Sequence, residues 1–106
     1  MLHNFMPAAR EAGLTMKKFR SSPERAARAF IEAAEKYDLD GVLVDIDTAT
    51  VAGALGAKVD FPEDEPARVR GPRLSSLALA RDLGPPPDLA RDERVAVWVE
   101  TCRLVR

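Results

Sequence analysis

Asp45 and Asp47 are the residues of this chain best suited to do chemistry. They close the run Gly41-Val42-Leu43-Val44-Asp45-Ile46-Asp47, in which four of the first six residues are branched aliphatics. A strand places residues i and i+2 on one face. The two acids therefore point the same way, at the carboxyl end of a run that reads as a buried strand. In parallel α/β folds that end of the strand carries the catalytic groups. Two carboxylates held close together disfavour each other's charge, a common active-site arrangement. The alternatives are a pair of acids satisfied by an arginine or by helix amides, or acids that simply open a solvated loop.

The elements around the pair can be read from local signals. Ser21-Ser22-Pro23-Glu24 is a helix start, with a serine cap, proline in the first turn and Glu24 three residues after Ser21. The helix runs to about Tyr37, and Ala26, Ala27, Phe30, Ile31, Ala34 and Tyr37 form its apolar stripe. Leu39-Asp40-Gly41 turns the chain into the strand, which gives the helix-then-strand unit of an α/β layer. A short helix over Ala8–Ala12 ends at Gly13. After Asp47 a small-residue segment, Thr48 to Leu55, closes on Gly56. Lys58–Phe61 and Ala67–Arg70 flank the acidic turn Pro62–Pro66 and pair as a hairpin, with the prolines kept to the loop. Leu74–Leu83 reads as a short helix stopped by Gly84, and Pro85-Pro86-Pro87 as a stiff connector. Asp88 or Asp92 starts a last helix whose apolar face is Val95, Trp98, Val99, Cys102 and Val105.

Composition narrows the function classes. At 106 residues the chain is one domain at most. Hydrophobic residues at 46% and charged residues at 31% are globular values, compatible with a packed core. A net charge of −1 with interspersed signs gives no footprint for nucleic acid or for an anionic membrane. No stretch approaches the roughly 20 apolar residues of a spanning helix. The single cysteine, Cys102, excludes an internal disulfide and fits a reducing cytoplasm. One histidine and one cysteine cannot build a Cys/His zinc site from this chain alone.

The segment Ala34 to Pro66 combines Ala-Ala-Glu-Lys-Tyr-Asp-Leu-Asp-Gly, the aliphatic strand, Asp47, then Ala54-Leu55-Gly56 and Phe61-Pro62-Glu63-Asp64. Gly56 falls nine residues after Asp47. In this order and spacing the chain resembles the uroporphyrinogen decarboxylase family, which includes corrinoid-dependent methyltransferases. The resemblance begins near Pro7 and runs to the C-terminus. It implies an α/β fold, the N-terminal fragment of a (β/α)8 TIM-type barrel with a β-hairpin insertion, occupying residues 1–106. Such barrels typically need about 250 residues, so the chain holds one core strand and stops before the second. An open strand edge is a template for pairing with another chain, so self-association is expected.

By the same resemblance Asp47 occupies the position of the family's catalytic aspartate. In the decarboxylases that acid sits beside the substrate's pyrrole nitrogens, and a carboxylate there stabilises the cationic pyrrole formed during decarboxylation. Asp45, on the same strand face, is a further substrate-binding candidate. Arg10-Glu11-Ala12-Gly13-Leu14 lies against the decarboxylases' Arg-Gln-Ala-Gly-Arg element, whose arginines grip substrate carboxylates. Arg10 matches the first arginine, and Leu14 stands in place of the second. That departure tilts the reading toward the methyltransferase-like branch. The implied partner is a tetrapyrrole or a corrinoid, with no nucleic acid and no membrane. No cofactor is held by this chain itself, and zinc and a corrinoid belong to a full methyltransferase-type enzyme.

Two other readings compete. An Asp-x-Asp pair after an aliphatic strand also suggests a haloacid-dehalogenase-like phosphatase, but Ala49 stands where that pattern wants Thr or Val. An inactive fragment or small interaction module is the non-enzyme reading. Cys102 and Trp98 read as core residues, Glu63-Asp64-Glu65 as a solvated turn, and His3 carries no inference.

Overall fold

The computed structural model describes residues 5–45 and 47–106, so His3 and Ile46 lie outside the described residues. Its helices are α1 (Phe5–Glu11), α2 (Met16–Phe19), α3 (Pro23–Lys36), α4 (Thr50–Ala54) and α5 (Glu93–Leu104). Strands β1 (Val59–Asp60) and β2 (Arg68–Val69) pair antiparallel, with Val59 opposite Val69 and Asp60 opposite Arg68. The expected hairpin is therefore present, and Arg70 N–H extends it to Lys58 O at 2.7 Å.

Helix ends explain much of the path. Ser22 caps α3, its hydroxyl accepting from Arg25 N–H at 3.3 Å, and Pro23 supplies a pre-set φ at the first position. Three helices then stop in the same way. After α1, α3 and α4, an N–H bonds back five residues and its predecessor bonds back three: Leu14 to Ala9 and Gly13 to Arg10, Leu39 to Ala34 and Asp38 to Glu35, Ala57 to Ala52 and Gly56 to Gly53. This closure needs a left-handed residue. Gly13 (φ +66°) and Gly56 (φ +91°) supply it without strain, and Asp38 adopts φ +50° with a side chain in place.

The core is built mostly from alanine. Ala8 and Ala9 of α1 and Ala26, Ala29 and Ala33 of α3 are buried together with Met16, Phe19 and Phe30. Small side chains let α1 and α5 approach α3 closely. Phe19 and Phe30 are the largest fully buried side chains and meet edge to face at 5.4 Å between ring centres. Val42 and Val44 pack against this core, and the Trp98 indole N–H donates to Val44 O at 2.9 Å.

Several expectations change. Gly41–Asp45 pairs with no strand among the described residues, whose one sheet is β1 with β2. A barrel strand takes its ladder from neighbours on both edges, and here α5 lies against this segment instead. α1 begins three residues before Ala8 and includes Pro7, which the first turn tolerates because its N–H groups have no helical partner. Ile31 and Tyr37 are exposed, while Ala29 and Ala33 are buried in their place. Tyr37 reaches back to α1, its hydroxyl donating to Glu11 at 2.7 Å beside a Lys36–Glu11 ion pair. On α5 the inward residues are Val97, Trp98 and Thr101, followed by Val105 at its C-cap; Val99 and Cys102 face solvent. Thr101 is fully buried because its hydroxyl donates to Val97 O one turn back at 2.8 Å. Leu74–Leu83 gives only the 3-10 segment Leu77–Asp82, with Leu77 91% exposed.

The molecule is elongated, 49 × 24 × 23 Å. Its accessible surface of 7345 Å² exceeds the roughly 5,800 Å² expected for a compact chain of this mass.

Two outcomes check this arrangement. Asp38→Gly should stabilise the chain by about 0.5–1 kcal/mol, since glycine adopts the left-handed closure freely; an unchanged urea midpoint would contradict the closure. The Cys102 thiol should react with Ellman's reagent in the native state nearly as fast as in urea, whereas strong native protection would restore the buried-face expectation.

Candidate functional site

Asp47 is 5% exposed, and its carboxylate is held from three sides. Oδ1 accepts from Ala49 N–H at 2.8 Å and Thr50 N–H at 2.6 Å; Oδ2 accepts from the Thr50 hydroxyl at 2.7 Å. These bonds satisfy the first amides of α4, so the acid caps the helix. A carboxylate has about four acceptor positions. Three are engaged, which leaves Oδ2 with capacity toward the space beside it.

That space is a cavity of ≈ 280 Å³ where several segments converge. Lys17, Arg20 and Ser21 come from α2 and its exit, Asp47 and Thr50 from the start of α4, and Phe61 from the end of β1. Glu93, Arg94 and Val97 come from the first two turns of α5. The volume lies just under the range of about 300–1,000 Å³ typical of small-molecule pockets. It suits one ring with its substituents.

Arg20 organises one wall. Its guanidinium donates to Met16 O (3.0 Å), Pro62 O (2.6 Å) and Glu65 O (2.9 Å), which fastens the Pro62–Pro66 turn to α2. Lys17 N–H to Glu63 O (2.9 Å) and the Thr15 hydroxyl to Glu63 (3.1 Å) add to the same seam. Glu63, Asp64 and Glu65 are exposed, as expected of a solvated turn, and the turn is also anchored to α2 through its backbone and Glu63. Burial lowers the pKa of Arg20, and the Asp47 and Glu63 charges oppose that shift. The group stays cationic in either case. Phe61 lies between two cations, with Arg94 4.3 Å and Arg20 5.6 Å from its ring centre.

Of the three residues singled out in the sequence, Asp47 lines the cavity. Arg10 sits exposed in the last turn of α1, and Asp45 is half-buried; neither is part of the lining. Lys17, Arg20, Phe61 and Arg94 were not anticipated. They meet only through tertiary packing, and no spacing rule joins α2, the hairpin and α5. Among the described residues, no group of three or more His, Cys, Asp or Glu side chains is placed to hold a metal. No described helix is long and apolar enough to cross a membrane.

The family model for uroporphyrinogen decarboxylase (URO-D) matches residues 5–106, nearly the whole chain. The chain belongs to the uroporphyrinogen decarboxylase family. Neither the curated proteins nor the solved structures provide a match. Membership bears out the resemblance read from Ala34 to Pro66, and the mixed helix and strand content fits an α/β section. The family's barrel is implied by this membership.

The capping bonds of Asp47 set a measurable cost. Asp47→Ala should destabilise by about 1–2 kcal/mol, because two amides and a hydroxyl lose their acceptor. Asp47→Asn keeps an Oδ1 acceptor, and Thr50 Oγ1 can accept from the new amide, so it should cost under about 0.5 kcal/mol. Urea midpoints check both; equal losses for the two variants would mean that the charge, and not the cap geometry, stabilises α4.

Proposed function

We propose that this chain supplies part of the substrate site of a uroporphyrinogen decarboxylase-family enzyme acting on a tetrapyrrole, with Asp47 facing the reacting ring. The observation that carries this reading is a buried, anchored carboxylate with spare acceptor capacity, set in a ring-sized cavity beside an aromatic wall. In such a decarboxylation the pyrrole is first protonated. The bond between the arm's methylene and its carboxyl group then breaks, CO₂ leaves, and the bonding pair neutralises the ring. A second proton then adds to the methylene to give methyl, and the proton first added to the ring leaves, which restores the neutral pyrrole. Asp47 accepts the ring N–H and stabilises the transient positive charge. A carboxylate already fixed by three donors needs no reorganisation to do this, and partial exclusion of water strengthens the attraction.

The cavity accommodates one pyrrole and its arms, not a macrocycle. On this reading the remaining rings lie outside it, against surface completed by the rest of a (β/α) barrel. Support comes from the excess accessible surface and from Gly41–Val44, which lies outside the one sheet of the described residues and which a barrel would cover. A strand-like segment outside any sheet also favours self-association.

The methyltransferase-like branch is the second reading. It is favoured by Leu14 at the second arginine position and by the exposed Arg10 outside the cavity. The described residues do not form a zinc site, so zinc and a corrinoid would be held elsewhere in such an enzyme.

The 106-residue chain should show no decarboxylation of uroporphyrinogen above background, because a cavity sized for one pyrrole cannot enclose the macrocycle; robust turnover by the purified chain would refute the partial-site reading. In a longer form that turns over, Asp47→Asn should lower kcat by roughly 10²–10³-fold, and Asp45→Asn far less. Equal rates for Asp47→Asn and the parent would remove Asp47 from the mechanism.

A further inference from the structure

Three cations line the Asp47 cavity, and they are not equivalent. Arg20 is engaged by three carbonyl oxygens. Lys17 lies 3.5 Å from Glu63. Arg94 has neither kind of partner among the described residues. Its exposed guanidinium rests on the Phe61 ring at 4.3 Å, and its planar donors bond to no acceptor among the described residues. Glu93, its neighbour on α5, also lines the cavity without pairing to it. A guanidinium stacked on an aromatic face loses little freedom when it binds, since its plane is already oriented. Its fork geometry matches a carboxylate. Arg94 lies on α5, far in sequence from the Arg10 position where an arginine was expected to grip substrate carboxylates.

We infer that Arg94, laid across Phe61 at the cavity, is the receptor for an anionic arm of the ligand, a carboxylate carried by a flat heteroaromatic ring. This rests on the reading of the cavity as the ring site. Phe61 holds the guanidinium, and Val97 with the Phe61 edge gives the ring an apolar surface. Arg94 therefore selects for charge on the arm, whereas Asp47 addresses the ring N–H. Arg10 plays no part in this recognition.

Simple probes separate these roles in the chain as it exists. Indole-3-acetate and indole-3-ethanol share ring and N–H and differ in the anion, and their binding can be followed by NMR titration. The parent should prefer the acid. Arg94→Gln should weaken the acid roughly tenfold, the scale of one charge-assisted bond, and leave the alcohol unchanged. Arg94→Lys should retain part of the preference, and Phe61→Leu should lose part of it with the charge intact. Arg10→Gln should change nothing. The inference is overturned if Arg94→Gln keeps the parent's preference, if it weakens acid and alcohol equally, or if neither probe binds the parent. An Arg94-dependent preference without any binding of the octacarboxylate uroporphyrin would sink the tetrapyrrole reading and leave the anion receptor standing.

Discussion

The guanidinium of Arg20 is the constraint on which the site depends. It joins three carbonyl oxygens, two of them more than forty residues away in the chain. Hydrogen bonds to a charged donor contribute about 1.5–3 kcal/mol where they are sheltered, and this group is half-buried. The other links between hairpin and α2 are exposed, and such pairs contribute little. Arg20 thus decides where the Pro62–Pro66 turn sits, and through it where Phe61 stands. Phe61 in turn gives Arg94 its resting place, and Arg20's own charge acts on Asp47. A single side chain couples a four-residue helix, a hairpin and a cavity that have little else in common.

What the sequence revealed was what local chemistry decides. Ser22 and Pro23 start α3 because a cap and a fixed φ act within one turn. Gly13 and Gly56 end helices because only a left-handed residue closes them, and the prolines confine the hairpin to its two flanks. The order from Ala34 to Pro66 carried the family. What failed was decided at a distance. Gly41–Asp45 has the composition of a core strand, but a ladder belongs to the partner as much as to the run itself. The inward face of α5 depends on Trp98 reaching Val44 and on Thr101 satisfying its own hydroxyl, which turns Cys102 outward. Asp47 was found because it ends a recognisable run. Arg20 and Arg94 were not, because their roles arise from contacts between segments with no shared pattern.

Among the described residues, the cavity combines a fixed anion with one uncommitted cation and an apolar wall. Fixed charges in a partly sheltered site act strongly and with little rearrangement. The alanine core serves this arrangement. With few large side chains to accommodate, α3 holds α1 and α5 close, and α5 delivers Arg94 and Val97 to the same wall as Asp47. On the proposed reading this geometry is a site for a ring bearing charged arms, and the cavity volume matches one such ring.

The Trp98 indole has an optical consequence. It is the one tryptophan in the chain, and its N–H is tied to Val44 O, three residues before Asp47. The same helix carries Val97 into the cavity wall. Indole emission responds to the polarity and hydrogen bonding of its surroundings, so the protein contains its own fluorophore at the junction between the aliphatic segment and α5. Detachment of that segment would expose the ring to water and shift its emission to the red, reporting the integrity of the approach to Asp47 without any added label.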